Sequence, residues 1–395
     1  MRATRLWRTG LLLAAAGASA LLSSGFVAAY DGLVEKKVFS LPSYTTEGGA
    51  TIPDVKVGYE TYGKLNAAGD NAIFVPHFFS GNSHAAGKYK ESDAAFGYWD
   101  PIIGSGRPID TDKYFVVSAD TLVNLNTRDP NTTTTGPATI NPATGKPYAM
   151  TFPVVSYVDS VRIHKALLDS LGVRKLQAAA GPSGGGIQAM IWAAEYPDYV
   201  ARVVQVIGPG FDIHPYVVER LDEWMLPIKL DPKWNNGDYY GRGDPVDGLT
   251  QALKIVTVAT RAEGWAEKTY GYKWADPAKS PALAMENRFA IEDALDKAGA
   301  TRAKSVDANS LIYMVKANQL YNLGDDAKKI KAKILFVPAA SDGFFPPIMS
   351  LRAADQYRAQ GGIAEVAIID GDGGHLEGVF NVAKQGEAIR AFLAR

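Results

Sequence analysis

Short apolar runs recur along the chain, with helix-compatible stretches between them. Val55 to Thr61 alternates with a loose period of two, which predicts an early strand. Ala72 to Val75, Tyr114 to Ser118, Leu176 to Ala180, Val203 to Ile207, Ile334 to Val337 and Val366 to Ile369 are compact and mostly apolar. Such runs suit strands buried on both faces of a largely parallel sheet. Asp159 to Leu171 places Val161, Leu167, Leu168 and Leu171 at helical spacing, and Gly172 supplies the stop. Strand alternating with helix predicts an α/β fold, a mostly parallel central sheet flanked by helices. Over 211–331 the rhythm breaks: helical segments continue but no convincing strand appears, which predicts a helical lid inserted into the core domain. The expected organisation is a leader over 1–29, core over 30–210, lid over 211–331 and core again over 332–395. Thr127 to Lys146, rich in Thr, Asn, Pro and Gly, reads as a long loop.

The leader rests on Arg2, Arg5 and Arg8 before the apolar run Gly10 to Leu22, then small residues through Val27-Ala28-Ala29. That is the pattern of a secretory signal cut before Tyr30. An uncleaved anchor is the alternative, because Leu11 to Ala29 is nearly long enough to span a bilayer. Ser23, Ser24 and the interspersed Ala and Gly dilute it, which favours cleavage and a periplasmic or secreted protein. No later stretch is long and apolar enough to cross a membrane, so stable membrane association is not expected once the leader is removed.

Composition adds two exclusions. The 41 basic and 42 acidic side chains nearly cancel, so a generally basic, nucleic-acid-coating protein is excluded. The absence of Cys removes disulfides, thiolate catalysis and Cys-based metal sites together.

Candidate chemistry begins at Ser183. Gly181-Pro182-Ser183-Gly184-Gly185 satisfies G-x-S-x-G, follows the run Leu176 to Ala180 and precedes a helical pattern. A nucleophile elbow needs that context, with small neighbours permitting a sharp strand-to-helix turn that exposes the hydroxyl. A Ser hydroxyl needs a base, and the chain has five His. His375 lies in a Gly-rich loop after Val366 to Ile369, and Asp342 lies just after Ile334 to Val337. The order Ser183, Asp342, His375 is that of a serine-hydrolase triad on an α/β sheet: nucleophile, orienting carboxylate and base. The backbone N–H of Gly184 supplies one oxyanion donor. The second is expected from Pro76 to Gly81, with Phe79 chosen and Phe78 as its neighbouring alternative. His77 and His84 lie there too, but no further His at short spacing supports a metal site. His164 reads as a packing or surface residue, and His214 has no evident partner. No metal or cofactor is expected.

These segments carry a family resemblance. Tyr59 to Asn66, His77 to Gly87, Trp99-Asp100 through Asp112, Gly136 to Pro142 and Phe152 to Val155 resemble the homoserine O-acetyltransferase branch of the α/β-hydrolase superfamily. The resemblance covers nearly all of the chain after the leader. It implies an α/β-hydrolase fold with a helical lid over the site, and it supports Ser183, Asp342 and His375 as triad. It also implies where homoserine would be held: an Arg and a Tyr seven residues apart on a lid helix, and an Asp after the catalytic His. Those positions fall on Leu253, Thr260 and Leu376 here, with Arg261 beside the second. The residue after the nucleophile, Met in the common pattern, is Gly184. Losing three polar contacts to a zwitterion disfavours homoserine as acceptor.

The lid also carries Trp224, Trp234, Trp265 and Trp274 with Tyr239, Tyr240, Tyr270 and Tyr272, either to line an apolar pocket or to pack the lid. With Phe78, the positions 253, 260 and 376 are the candidate substrate pocket. The main functional expectation is an exported serine hydrolase that cleaves a small ester or acyl substrate through an acyl-enzyme. Export away from donors such as acetyl-CoA and the lost homoserine contacts motivate it. The alternatives are an O-acyltransferase of the homoserine acetyltransferase type with a different acceptor, and a non-catalytic ligand-binding pseudo-hydrolase. The partner expected is the small substrate, with a homodimer left open.

Overall fold

The computed structural model describes residues 32–395; the leader expected over 1–29 and its cut before Tyr30 lie outside them. One eight-stranded sheet organises the chain. In chain order its strands are β1 (Lys37–Thr45), β2 (Thr51–Tyr62), β3 (Ala72–Phe74), β4 (Phe115–Ala119), β5 (Leu176–Pro182), β6 (Arg202–Val206), β7 (Lys333–Val337) and β8 (Ala364–Val366). Their spatial order is β1-β2-β4-β3-β5-β6-β7-β8. β1 and β2 form an antiparallel edge, β2 meets β4 antiparallel, and every later pairing is parallel.

The strand sequences match these positions. β2 runs beside solvent along part of its length and alternates, burying Ile52, Val55 and Val57 while exposing Thr51 and Lys56. β5 is covered on both faces and is built from Leu176 and small Ala residues, which let helices approach closely. One of those helices, α1 (Tyr157–Ser170), begins two residues before the expected start. Ser156 caps it by accepting from Val158 N–H, and Asp159 reaches back to the Ser156 N–H in a capping box. Leu167, Leu168 and Val161 on its inner face are fully buried, contributing about 1.5–3 kcal/mol each. α2 (Gly184–Glu195) follows β5 directly and is almost entirely buried.

Between β6 and β7 the chain adds no strand to the sheet. It forms α3 (Pro215–Leu230), α4 (Val246–Ala259), α5 (Glu263–Thr269), α6 (Ala290–Arg302) and α7 (Ala308–Gln319). α3 and α4 pack tightly because Gly248 lies against the Pro227 carbonyl; a Cβ there would sit 2.4 Å from that oxygen. α8 (Pro347–Ala359) and α10 (Gly386–Leu393) return to the sheet, with the short α9 (Glu377–Phe380) between them. Among the described residues no helix is long and apolar enough to cross a membrane.

Two local expectations change. The long loop over 127–146 is not wholly irregular, because Ile140–Asn141 pairs with Lys146–Pro147 in a small hairpin. β1 adds an edge strand where none was expected; half of its side chains face solvent and Pro42 interrupts its pattern, so periodicity is weak there.

Candidate active site

The turn from β5 into α2 is forced by close packing. Ser183 adopts φ 55° and ψ −117°, a conformation rarely open to a residue with a side chain. A Cβ at position 181 would lie 2.6 Å from Gly185 C and 2.7 Å from Pro76 O, and one at 185 would lie 2.1 Å from Pro76 O. Both outer glycines of the motif are therefore steric requirements. The surrounding sheet and helix hold the strained turn, which presents the Ser183 hydroxyl at the carboxyl end of the sheet.

Asp342 follows β7 and His375 follows β8, and both are buried. His375 Nε2 lies 2.8 Å from Ser183 Oγ, and His375 Nδ1 lies 2.7 Å from Asp342 Oδ2. A carboxylate only accepts, so Nδ1 carries the proton and Nε2 is free to accept from the hydroxyl. The other Asp342 oxygen accepts from Phe344 N–H (2.8 Å) and Phe345 N–H (2.9 Å), which fixes the carboxylate plane. Phe344 and Phe345 present their rings to the imidazole at 5.4 and 5.3 Å, shielding it from water. The His375 loop is tied down by Glu377, which accepts from Gly373 N–H at 2.9 Å and pairs with Lys384 at 3.0 Å. The arrangement can move a proton from the hydroxyl to the imidazole and stabilise the imidazolium that results.

Phe79 and Gly184 meet beside this chain. An ideal Cβ on Gly184 would lie 3.4 Å from Phe79 N, and neither backbone N–H is engaged elsewhere among the described residues. Two free donors beside the nucleophile can bind a developing oxyanion. The neighbouring Phe78 carbonyl is spoken for. His77, fully buried, accepts at Nε2 from Thr121 N–H (3.2 Å) and so donates from Nδ1 to Phe78 O at 2.7 Å. Holding that carbonyl turns the N–H of the same peptide, on Phe79, to the opposite side. Burial pushes the His77 imidazole below its usual pKa, which keeps it neutral and able to accept.

A charged network backs the same loop. Glu60 accepts from Tyr89 Oη (2.6 Å), Tyr62 Oη (2.7 Å) and His84 Nδ1 (3.1 Å). Lys36 spans Glu60 (3.4 Å) and Asp120 (3.2 Å), and Asp120 takes the Ser83 N–H at 2.7 Å. Burial raises the Glu60 pKa, but the bonds from His84 and Tyr89 and the charge of Lys36 outweigh it and hold the carboxyl below its ordinary value. His84 thus has a structural partner. His164 does too: it is fully buried rather than on the surface, and it donates from Nε2 to Asp120 O at 2.9 Å. Among the described residues no group of three or more His, Asp or Glu is placed to hold a metal.

A cavity of about 610 Å³, counting its open mouth, lies over Ser183 and His375. Phe78, Thr260 and Leu376 line it, together with Phe79, Leu221, Val256 and Val379. Leu253 does not; it lies one turn earlier on the same face of α4 and is buried in the hydrophobic core. Val256 and Thr257 occupy the cavity wall instead, so α4 presents no charged side chain there. Arg261 packs over the Trp265 ring at 4.9 Å and is not part of the wall. Of the eight lid aromatics considered, Trp224 alone lines the cavity, stacked on Phe344 at 5.1 Å. Tyr239 and Tyr240 bond Asp307, Trp234 donates to Asn309, and Tyr272 is exposed. Sequence reasoning missed Arg302, Asn318 and Phe344 in the wall. Phe344 was within reach as the near neighbour of Asp342; the other two sit on lid helices whose docking no local signal gives.

Gly184 departs from the common Met for a visible reason. Tyr157 from α1 places its hydroxyl where a side chain at 184 would begin, 2.6 Å from an ideal Cβ. Asn318 Nδ2 donates to that hydroxyl at 3.0 Å and to Met314 O at 2.8 Å.

Comparison with known proteins agrees with this fold. The profile of a family described as alpha/beta hydrolase fold matches residues 96–377. The homoserine O-acetyltransferase of Symbiobacterium thermophilum is 35% identical over 354 residues, covering 88% of this chain and 91% of its own. The crystal structure of homoserine O-acetyltransferase from Bacillus anthracis is 35% identical with a TM-score of 0.88, covering 92% of this chain and 98% of that one. The crystal structure of esterase E22 is 45% identical with the same TM-score, covering 91% and 100%. The main expectation of an exported ester hydrolase is corrected by these relatives. Curated proteins matching over most of the chain are homoserine O-acetyltransferases, which places the acyltransferase alternative ahead of hydrolysis.

Proposed function

Because the chain belongs to the α/β-hydrolase fold family, on its homoserine O-acetyltransferase-like branch, we propose that it is an O-acyltransferase that uses an acceptor alcohol other than homoserine. Ser183 Oγ attacks the donor carbonyl while His375 Nε2 takes its proton. The oxyanion forms against the N–H groups of Phe79 and Gly184. Collapse expels the donor's leaving group, which receives the proton from His375, and leaves an ester on Ser183. The acceptor hydroxyl then enters, gives its proton to His375 and attacks that ester. Ser183 regains its proton as the new ester departs.

The observation that carries this reading is the unbroken hydrogen-bonded chain Ser183–His375–Asp342 at the floor of a lidded, mostly apolar cavity. A covered cavity favours transfer by limiting the water that competes with the acceptor. Support for an acceptor other than homoserine comes from the wall, where Thr260 and Leu376 line the cavity at two of the positions that the resemblance implies for the zwitterion. Partitioning tests the proposal. An activated ester is supplied with a panel of alcohols, and free acid is measured against transferred ester. Transfer to at least one alcohol other than homoserine is expected; free acid as sole product with every acceptor overturns it. We also propose, from the leader pattern alone, that the chain is exported. Cell fractionation with N-terminal sequencing should give a mature form beginning at Tyr30.

A further inference from the structure

The cavity wall is mostly apolar, and its hydroxyls are largely occupied. Thr257 Oγ1 donates to Leu253 O at 2.8 Å and Thr260 Oγ1 to Val256 O at 2.9 Å, so both spend their protons on helix carbonyls. Asn318 spends its amide protons on Tyr157 and Met314. Arg302 is different. It ends α6, lines the cavity and is partly buried, yet its guanidinium has no hydrogen bond or ion pair among the described residues. Among other lid cations, Arg288 and Lys254 share Asp296 at 2.6 and 2.8 Å, and Arg261, whose Nε is also without a hydrogen bond, lies over the Trp265 ring at 4.9 Å outside the cavity.

An Arg in the last turn of a helix is favourable by its position alone, but its head then normally reaches water. Here the head is withdrawn into the protein, and desolvation lowers its pKa with no neighbouring charge acting on it. Guanidinium stays protonated in any protein. The site therefore holds an unpaired cation with five donors in a planar fork, a geometry that matches a carboxylate in bidentate fashion.

We propose that Arg302 is a specificity residue that binds a carboxylate on the substrate, so that the transferred acyl group or its acceptor is an anionic compound. This rests on the acyl-transfer reading above. The two sources of the carboxylate share one chemistry and are separable by experiment. The carboxylate takes the place at Arg302 that Leu253, sunk in the lid core, does not supply.

The test uses the full chain and two matched comparisons. In the donor arm, the mono-p-nitrophenyl ester of glutarate is compared with p-nitrophenyl valerate by nitrophenolate release. In the acceptor arm, p-nitrophenyl acetate is the donor, and acetyl transfer to 3-hydroxybutyrate is compared with transfer to 1,3-butanediol. One arm is expected to favour the carboxylate by about tenfold or more in kcat/KM. Arg302→Met, which keeps the aliphatic stem, should remove that preference through KM, and Arg302→Lys should keep part of it. No preference in either arm, or a preference that survives Arg302→Met, overturns the subsite while p-nitrophenyl acetate turnover leaves the acyl-enzyme reading standing. Absence of nitrophenolate release from every ester defeats the acyl-enzyme reading instead. Calorimetric titration with glutarate then decides the subsite by itself: loss of binding in Arg302→Met sustains it, and equal affinity in the two proteins overturns it.

Discussion

Replacing His77 with Ala strips three contacts from the loop that carries Phe79. The Phe78 carbonyl loses one of its two donors, keeping Gly81 N–H at 3.0 Å, and the Thr121 N–H and Asn124 Nδ2 lose their shared acceptor at 3.2 Å, although Asn124 keeps the Gly81 carbonyl at 3.0 Å. A buried polar group left unmatched costs about 1–3 kcal/mol, and here that is chiefly the Thr121 N–H, so destabilisation of about 2–3 kcal/mol is expected. The catalytic effect is separate. With one of its two donors gone, the Phe78–Phe79 peptide can swing about the remaining Gly81 bond and withdraw one oxyanion donor, worth about 10²–10³ in kcat. The assay is steady-state turnover of an activated ester, with thermal unfolding measured on the same sample. His77→Ala should lose kcat by about that factor with little change in KM, since the donor acts on charge developing in the transition state. His77→Asn can restore a donor to Phe78 O without replacing the Nε2 acceptor, so it should recover kcat more than stability. A folded His77→Ala protein with kcat within about threefold of the parent would refute the positioning argument.

Other consequences follow from the same contacts. Asp342→Asn keeps the shape but favours the wrong imidazole tautomer, and kcat should fall by about 10⁴ in a turnover assay at neutral pH. Gly184→Ala drives a Cβ into the Tyr157 hydroxyl, so it should lower stability and kcat; Tyr157→Phe should relieve it, giving a non-additive double-mutant cycle in denaturant unfolding. Burial lowers the His164 pKa from 6.5 to about 4. Because the folded value is the depressed one, its contribution is present above pH 6.5 and is lost as pH falls toward 4. Chemical unfolding across that window should show about 3 kcal/mol lost on acidification, and His164→Gln should flatten the slope.

The sheet was legible because its central strands are compact apolar runs that pack on both faces, as at Val203 to Ile207. β1 was not, since an edge strand interrupted by Pro42 carries little periodicity. The elbow was legible because steric demand writes itself into sequence: Gly181 and Gly185 have no room for a side chain. The role of His77 was hidden, because its partners Thr121 and Asn124 are more than forty residues away in the chain. Leu253 was placed on the correct face of α4 but a turn too far from Ser183, since spacing gives a face and not a depth along the axis. Arg302 read as an ordinary cation at a helix end, and only the docking of α6 against the cavity makes it otherwise.

The central claim is that Ser183 carries the acyl group between donor and acceptor. Rapid acid quench of the protein with p-nitrophenyl acetate, followed by intact and peptide mass spectrometry, tests it most directly. An acetyl mass on the peptide containing Ser183, discharged into an ester when an acceptor alcohol is added and absent in Ser183→Ala, is the predicted result. Acetyl-ester formation that proceeds with no mass on Ser183, or that survives Ser183→Ala, would contradict it.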